Sequence, residues 1–122
     1  MSNMPCYVVL GATGGIGTAL CHRLAGAGGR LVVAGRNADR LRELADTLGA
    51  RACILDATSL DQVDACLAEA HQLHGQVDGV ASCVGSLLLK PAHLTSDTEW
   101  QTTLAINPTS AFAAVRLSLI HI

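Results

Sequence analysis

A glycine-rich segment near the start of the chain, Gly11-Ala12-Thr13-Gly14-Gly15-Ile16-Gly17, has the composition of a phosphate-binding turn. Glycines let an anion approach the backbone, and free N–H groups at a helix N-terminus favour negative charge. The residues before the turn, Tyr7–Leu10, form a short apolar run typical of a buried strand, and 16–27 has the composition of a helix. This order of strand, turn and helix predicts that the segment binds the pyrophosphate of a dinucleotide.

Two other interpretations of this turn can be weighed from the residues. A P-loop requires Lys-Ser or Lys-Thr after the last glycine, whereas Gly17 is followed by Thr18 and Ala19. The plainer alternative is a tight strand-to-helix connection without a ligand. We favour cofactor binding because both flanking elements lie where a nucleotide needs them.

The residue that ends the second predicted strand bears on the choice of cofactor. An NAD-specific site has an acidic residue about 20 positions after the turn, where it binds the ribose 2′-hydroxyl. Here Gly35 and Arg36 follow the apolar run Leu31–Ala34. A guanidinium at this place pairs with a 2′-phosphate. We therefore expect NADP(H) to be preferred, with NAD(H) as the second candidate and a solvated surface arginine as the alternative.

The glycine spacing Gly11-x-x-x-Gly15-x-Gly17 resembles that of the short-chain dehydrogenase/reductase family. Three later segments match the family in the same order along the chain. They are Asp56-Ala57 after the third predicted strand, Ser82-Cys83-Val84-Gly85 in place of Asn-Asn-Ala-Gly after the fourth, and Trp100 with Asn107 in the following helix. Gly11, Gly14 and Gly17 also fit the G-x-x-G-x-x-G spacing of the extended branch, so the glycines leave the branch open.

The resemblance implies hydride transfer between NADP(H) and a small carbonyl or alcohol, in a parent protein that is a homo-oligomer. It implies that Asn107 distorts its helix and holds a water of the proton relay; a polar residue at a helix kink is the alternative. The resemblance and the turn together predict these cofactor-binding residues: Gly11, Thr13, Gly15, Ile16, Gly17, Arg36, Asp56, Ala57, Ser82 and Gly85.

In this family a serine and a Tyr-x-x-x-Lys pair follow the region seen here. The chain's single tyrosine, Tyr7, lies in the first predicted strand, and its lysine, Lys90, lies in a predicted loop. We therefore expect an N-terminal, cofactor-binding part that is inactive by itself. The alternative of another class is a nucleotide-binding or redox-sensing module without catalysis.

The elements that position these residues alternate between strand and helix. Apolar runs at Ala52–Leu55 and Val80–Val84 predict the third and fourth strands, and helices are predicted over Ala38–Leu48 and from the Ser59 capping box to about His74. Another capping box, Ser96-x-x-Glu99, opens a last helix that Pro108 interrupts. Continuous apolar strands alternating with helices predict an incomplete doubly wound, Rossmann-like parallel sheet with strands in the order 3-2-1-4.

Composition excludes several other classes. The chain has 122 residues, of which 50% are hydrophobic and 15% are charged, and its net charge of −2 comes without a basic run. We therefore expect a single packed domain that binds neither nucleic acid nor membrane, in the cytoplasm. The five cysteines have wide spacings typical of buried free thiols, and the five histidines form no metal-binding pattern.

The last six residues, 117–122, can be encoded by CTG TCT CTT ATA CAC ATC, the end of a transposon adapter used for sequencing libraries. No cap, glycine stop or further strand follows Arg116. We therefore expect a cofactor-binding half-domain over residues 1–116 and a non-native tail over 117–122.

Overall fold

The computed structural model describes residues 4–121 of the chain. Four strands, β1 to β4, alternate with helices, and the last helical stretch contains a π-helical segment between two α-helices. The elements in chain order are β1 (Cys6–Leu10), α1 (Gly15–Gly26), β2 (Arg30–Gly35), α2 (Ala38–Leu48), β3 (Arg51–Ile54), α3 (Leu60–His74), β4 (Gly79–Ser82), a 3-10 turn (Ala92–Leu94), α4 (Asp97–Leu104), the π-helical segment (Ala105–Thr109) and α5 (Ser110–His121).

The four strands form one parallel sheet in the order β3-β2-β1-β4. This confirms the predicted Rossmann-like order. Val8 and Val9 at the centre of β1 pair with Val32 and Val33 of β2 and are fully buried, because helices cover both faces of the sheet.

Alternation along the strands divides the core into two apolar layers. One layer joins Val8 and Val32 to α3 and α5, and the other joins Val9 and Val33 to α1 and α2. Small and aliphatic side chains fill most of both layers.

The end of β4 differs from the prediction, because it depends on the hydrogen bonds between β4 and the neighbouring strand β1. Strand β4 ends at Ser82 rather than Val84, although the Cys83 N–H still donates to the Leu10 carbonyl at 2.8 Å. At Gly11 the chain turns with a φ of 71°, so β1 offers no further partner. An apolar pattern cannot show where the neighbouring strand turns away.

The helix that Pro108 was expected to interrupt continues through it as a π-helical turn. Proline has no N–H to donate to the Leu104 carbonyl, one turn earlier. Two side chains add hydrogen bonds to backbone carbonyls around the turn: Asn107 Nδ2 donates to the Thr103 carbonyl at 3.1 Å, and Ser110 Oγ donates to the Ile106 carbonyl. The interruption is therefore a widened turn rather than a break.

The continuous helical stretch Asp97–Ile120 is long and apolar enough to cross a membrane by length and composition. One such helix is weak evidence for a span, and this helix buries Ala113, Ala114 and Leu117 in the protein core. Leu117 belongs to the segment predicted to be non-native, and the origin of that segment stays a prediction.

Candidate cofactor site

A cavity of about 340 Å³ opens at the carboxyl ends of the strands, between the glycine turn and the loops that follow β2, β3 and β4. In an open parallel sheet this is the place where ligands bind, at the point where the strand order reverses. Its walls are formed by these residues: Gly11, Thr13, Gly14, Gly35, Arg36, Asn37, Leu55, Asp56, Ala57, Thr58, Cys83, Val84, Gly85, Ser86 and Ile106.

The glycine turn is held to β2 by its own backbone. The N–H groups of Gly11 and Ala12 both donate to the Ala34 carbonyl, at 3.0 and 3.1 Å. A Cβ atom at Gly11 would lie 2.8 Å from the Cys83 carbonyl carbon and oxygen, in a backbone conformation that favours glycine. This glycine therefore allows β1 and the segment after β4 to approach each other.

The last glycine of the turn serves helix packing. A Cβ atom at Gly17 would collide with the Gly11 carbonyl oxygen, whereas one at Gly15 would meet no protein atom within 4 Å. Gly15 faces open space at the helix N-terminus, and the side chain of Ile16 is 80% exposed beside it.

The N-terminus of α1 is free to receive an anion. Its N-cap residue, Gly14, makes no side-chain cap, and the first turn contains no acidic residue. The first helical hydrogen bond, from the Thr18 N–H to the Gly14 carbonyl, is 2.9 Å long. Helix starts α2 and α3, by contrast, are capped by Asn37 and Ser59. An uncapped, glycine-lined helix start beside a cavity fits the pyrophosphate of a dinucleotide.

Arg36 directly follows β2 and lines the same cavity as Thr13. Its side chain is exposed and forms no ion pair within residues 4–121. The guanidinium contributes to the low pKa of Asp56 as the smallest of the causes, which places one positive charge on this wall. The residues present fit a 2′-phosphorylated ribose at this end of the cavity.

Asp56 follows β3 and is held by the loop around it. Its Oδ1 atom accepts hydrogen bonds from the Thr58 hydroxyl at 2.7 Å and the Thr58 N–H at 2.9 Å, and these bonds lower the pKa of the carboxyl group. The Asp56 N–H donates to Gln62 Oε1 at 2.8 Å. A carboxylate fixed in this way presents an ionised acceptor next to Ala57 on the cavity wall.

The segment after β4 forms the opposite wall and is fastened to the π-helical segment. Asn107 Oδ1 accepts from the Ser86 N–H at 3.0 Å, and Asn107 Nδ2 donates to Ser86 Oγ at 3.1 Å. A Cβ atom at Gly85 would lie 3.4 Å from Asn107 Oδ1. Asn107 therefore holds the wall in place, and Ile106 beside it completes the cavity lining.

The structure brings together six of the predicted cofactor-binding residues as cavity walls: Gly11, Thr13, Arg36, Asp56, Ala57 and Gly85. Gly15, Ile16 and Gly17 lie just outside at the start of α1, and Ser82 is exposed on the edge strand without lining the cavity. Asn37, Thr58, Cys83 and Ser86 line it without having been predicted. Each of these four residues lies within two positions of Arg36, Asp56 or Gly85, and this closeness in sequence was the signal that could have identified them.

The described part of the chain contains no Tyr-x-x-x-Lys arrangement. Tyr7 is half-buried in β1, and Lys90 Nζ forms an ion pair with Glu99 at 2.9 Å. Among residues 4–121, no group of three or more His, Cys, Asp or Glu side chains is placed to hold a metal ion. Asn107 is the residue of this region that the resemblance assigns to the proton relay.

Comparison with known proteins places this site in a family. The family model for short chain dehydrogenases matches residues 5–122. Galactitol 2-dehydrogenase (L-tagatose-forming) from Cereibacter sphaeroides is 32% identical over 114 residues, which cover 91% of this chain and 44% of that protein.

Two solved structures match nearly all of the described fold. A short-chain dehydrogenase/reductase (glucose/ribitol dehydrogenase) from Brucella melitensis has a TM-score of 0.92 and 28% identity over 97% of this chain and 52% of its own. A variant of actinorhodin polyketide ketoreductase with NADPH has a TM-score of 0.91 and 25% identity over 96% of this chain and 47% of its own. The chain thus spans about half the length of the relatives it matches. By the match of the family model to almost all of its residues, the chain belongs to the short chain dehydrogenase family.

Proposed function

We propose that this chain is the cofactor-binding half of an NADP(H)-dependent oxidoreductase that transfers hydride between the nicotinamide and a small carbonyl or alcohol substrate. The observation that carries the cofactor choice is the position of Arg36. It lies at the end of β2, on the wall of the cavity, beside Thr13 and Asn37. A free guanidinium there provides charge-assisted hydrogen bonds to a 2′-phosphate.

The residues of the cavity have separate tasks in this proposal. The N–H groups at Gly15, Ile16 and Gly17 bind the pyrophosphate at the uncapped start of α1. Asp56 accepts a hydrogen bond at the adenine end, and Ala57 supplies a small contact surface there. The cofactor supplies the hydride chemistry when it is bound.

At the other end, Gly85 and Ser86 lie where the ribose next to the nicotinamide would approach the backbone. Gly85 leaves room for that ribose, and Ser82 stands one strand position before the cavity. Asn107 keeps the Ser86 segment at a constant distance from the π-helical turn. We assign Asn107 to the proton relay of the parent protein, together with a serine and a Tyr-x-x-x-Lys pair supplied by further residues.

The names of two relatives indicate a class of substrate. A galactitol dehydrogenase that forms L-tagatose and a polyketide ketoreductase both interconvert an alcohol and a ketone. We propose a small-molecule carbonyl or alcohol substrate, a cytoplasmic location and a homo-oligomeric parent protein.

The test uses the full-length protein that contains this chain. NADPH consumption is followed by its absorbance with a panel of ketoses, aldehydes and ketoacyl thioesters, and NADPH binding is measured separately. Turnover that requires Asn107 supports the enzyme. Tight NADPH binding without turnover on any carbonyl would instead favour the nucleotide-binding module.

A further inference from the structure

Two cysteines that the proposed function does not use face each other between β3 and α3. Cys53 lies on β3, an edge strand of the described sheet, and Cys66 lies on α3. Both line one groove of about 330 Å³ along that edge, and their side chains are 9% and 3% exposed. The pair is therefore mostly buried but borders solvent-accessible space.

An ion pair beside the cysteines joins the same strand to the same helix. Arg51 Nη2 lies 2.6 Å from Glu69 Oε1, and Arg51 Nε donates to that oxygen at 2.7 Å. Arg51 precedes Cys53 by two residues on β3, and Glu69 follows Cys66 by nearly one turn on α3. This ion pair links β3 to α3 beside the two thiols.

The second oxygen of Glu69 contacts a thiol. Cys53 Sγ donates to Glu69 Oε2 at 3.6 Å, and Cys66 lies three residues before Glu69 on α3, in the lining of the same groove. The neighbouring Cys66 lowers the pKa of the Cys53 thiol, against the opposing effects of burial and Glu69, while Cys53 and burial raise the pKa of the Cys66 thiol. Cys53 is therefore the more acidic thiol of the two, and the Glu69 carboxylate is within reach to accept its proton.

The other thiols lack this combination. Cys21 is fully buried, and burial followed by the nearby Cys83 raises the pKa of its thiol to about 11. Burial also raises the pKa of the Cys6 thiol. These environments favour inert thiols.

We propose that Cys53 and Cys66 are a redox-active pair that a peroxide oxidises to a disulfide. The Cys53 sulfur attacks the peroxide, so that an S–O bond forms and the O–O bond breaks; the thiol proton passes through Glu69 to the leaving oxygen, which departs as water. The Cys66 sulfur then attacks the sulfenic acid, the S–S bond forms, and the S–O bond breaks with loss of a second water. Two thiols are oxidised and one hydrogen peroxide is reduced to two waters.

The experiment treats the reduced chain with one equivalent of hydrogen peroxide and counts free thiols after denaturation. We expect two of the five thiols to be lost. Cleavage at Asp56, Asp61 and Asp64 separates the two cysteines along the chain, so mass spectrometry then shows their peptides joined by a disulfide. Oxidation of other thiols while Cys53 and Cys66 stay reduced would overturn the proposal.

Three variants distinguish the roles within the pair. Cys66→Ser should leave a sulfenic acid on Cys53 that dimedone traps, and Glu69→Gln should slow oxidation several-fold. Cys21→Ser, the matched control in α1, should oxidise at the wild-type rate. Equal oxidation rates in wild type and Glu69→Gln would contradict the proposed proton transfer through the carboxylate. A dimedone adduct on Cys53 of wild type, without a disulfide to Cys66, would contradict the proposed role of Cys66.

Discussion

Asn107 and Ser86 are joined by two hydrogen bonds, one through each terminal atom of the asparagine amide. A third bond connects Asn107 Nδ2 to the Thr103 carbonyl, one turn earlier in the helix. One side chain therefore links α4, the π-helical segment and the wall of the cofactor cavity.

Replacing Asn107 with alanine should lower the free energy of unfolding by about 0.5–1.5 kcal/mol, because the hydrogen bonds of its side chain to the Ser86 N–H and the Thr103 carbonyl are lost. Urea denaturation measures the change. Asn107→Asp keeps the acceptor for Ser86 but loses the donor, so its stability should lie between those of alanine and wild type. Coinciding denaturation curves for all three would show that the contact is not maintained in solution.

Gly17→Ala should destabilise the protein by roughly 1–3 kcal/mol, since the new Cβ atom would collide with the Gly11 carbonyl oxygen and push α1 from β1. The matched control is Gly26→Ala at the other end of α1, where a Cβ atom meets nothing within 4 Å. Thermal unfolding should show a lower midpoint for Gly17→Ala and an unchanged or slightly higher one for Gly26→Ala. The reverse order would contradict the packing described here.

Gly15→Ala separates cofactor binding from stability. No protein atom lies within 4 Å of the new Cβ, so the unfolding midpoint should stay near that of wild type. If a pyrophosphate approaches the start of α1, the methyl group should weaken NADPH binding by about tenfold or more, as calorimetry can measure. Unchanged affinity would show that the phosphates bind elsewhere.

Glu99 should make stability depend on acid pH. The ion pair with Lys90, followed by the Ser96 capping bonds, lowers its pKa from 4.5 to about 2. Since the folded pKa is depressed, the stabilisation is complete above pH 4.5 and is lost as the pH falls to about 2. Glu99→Gln retains the shape of the side chain and removes its charge. Its thermal unfolding midpoint should therefore lie below that of wild type at neutral pH, and the two midpoints should converge near pH 2. A constant difference across this range would contradict the assignment.

The sheet order and the helix starts could be predicted because they depend on local patterns. Apolar runs indicated the strands, and the oxygen-bearing side chains of Ser59 and Ser96 marked helix N-termini. The end of β4 could not be predicted, because the ladder stops where the backbone of β1 turns at Gly11, just after the bond from the Cys83 N–H to the Leu10 carbonyl.

Gly11, Arg36 and Asp56, each of which follows the end of a predicted strand, line the cavity, and their role in cofactor binding stays a prediction. The bond between Asn107 and Ser86 spans 21 positions, and no local pattern specifies it. A pattern also could not show that the helix widens at Pro108 instead of ending there, because proline is compatible with either outcome.

The most direct test of the account is the affinity of the full-length protein for NADPH and NADH, measured by calorimetry in wild type, Arg36→Ala and Arg42→Ala. Arg42 is an exposed arginine of α2 outside the cavity and serves as the control for loss of one charge. A charge-assisted contact to the 2′-phosphate contributes roughly 1.5–3 kcal/mol, or about 10- to 150-fold in affinity. We predict that wild type and Arg42→Ala prefer NADPH by this factor and that Arg36→Ala loses the preference while its NADH affinity stays the same. Equal affinities of wild type for the two cofactors would contradict the account.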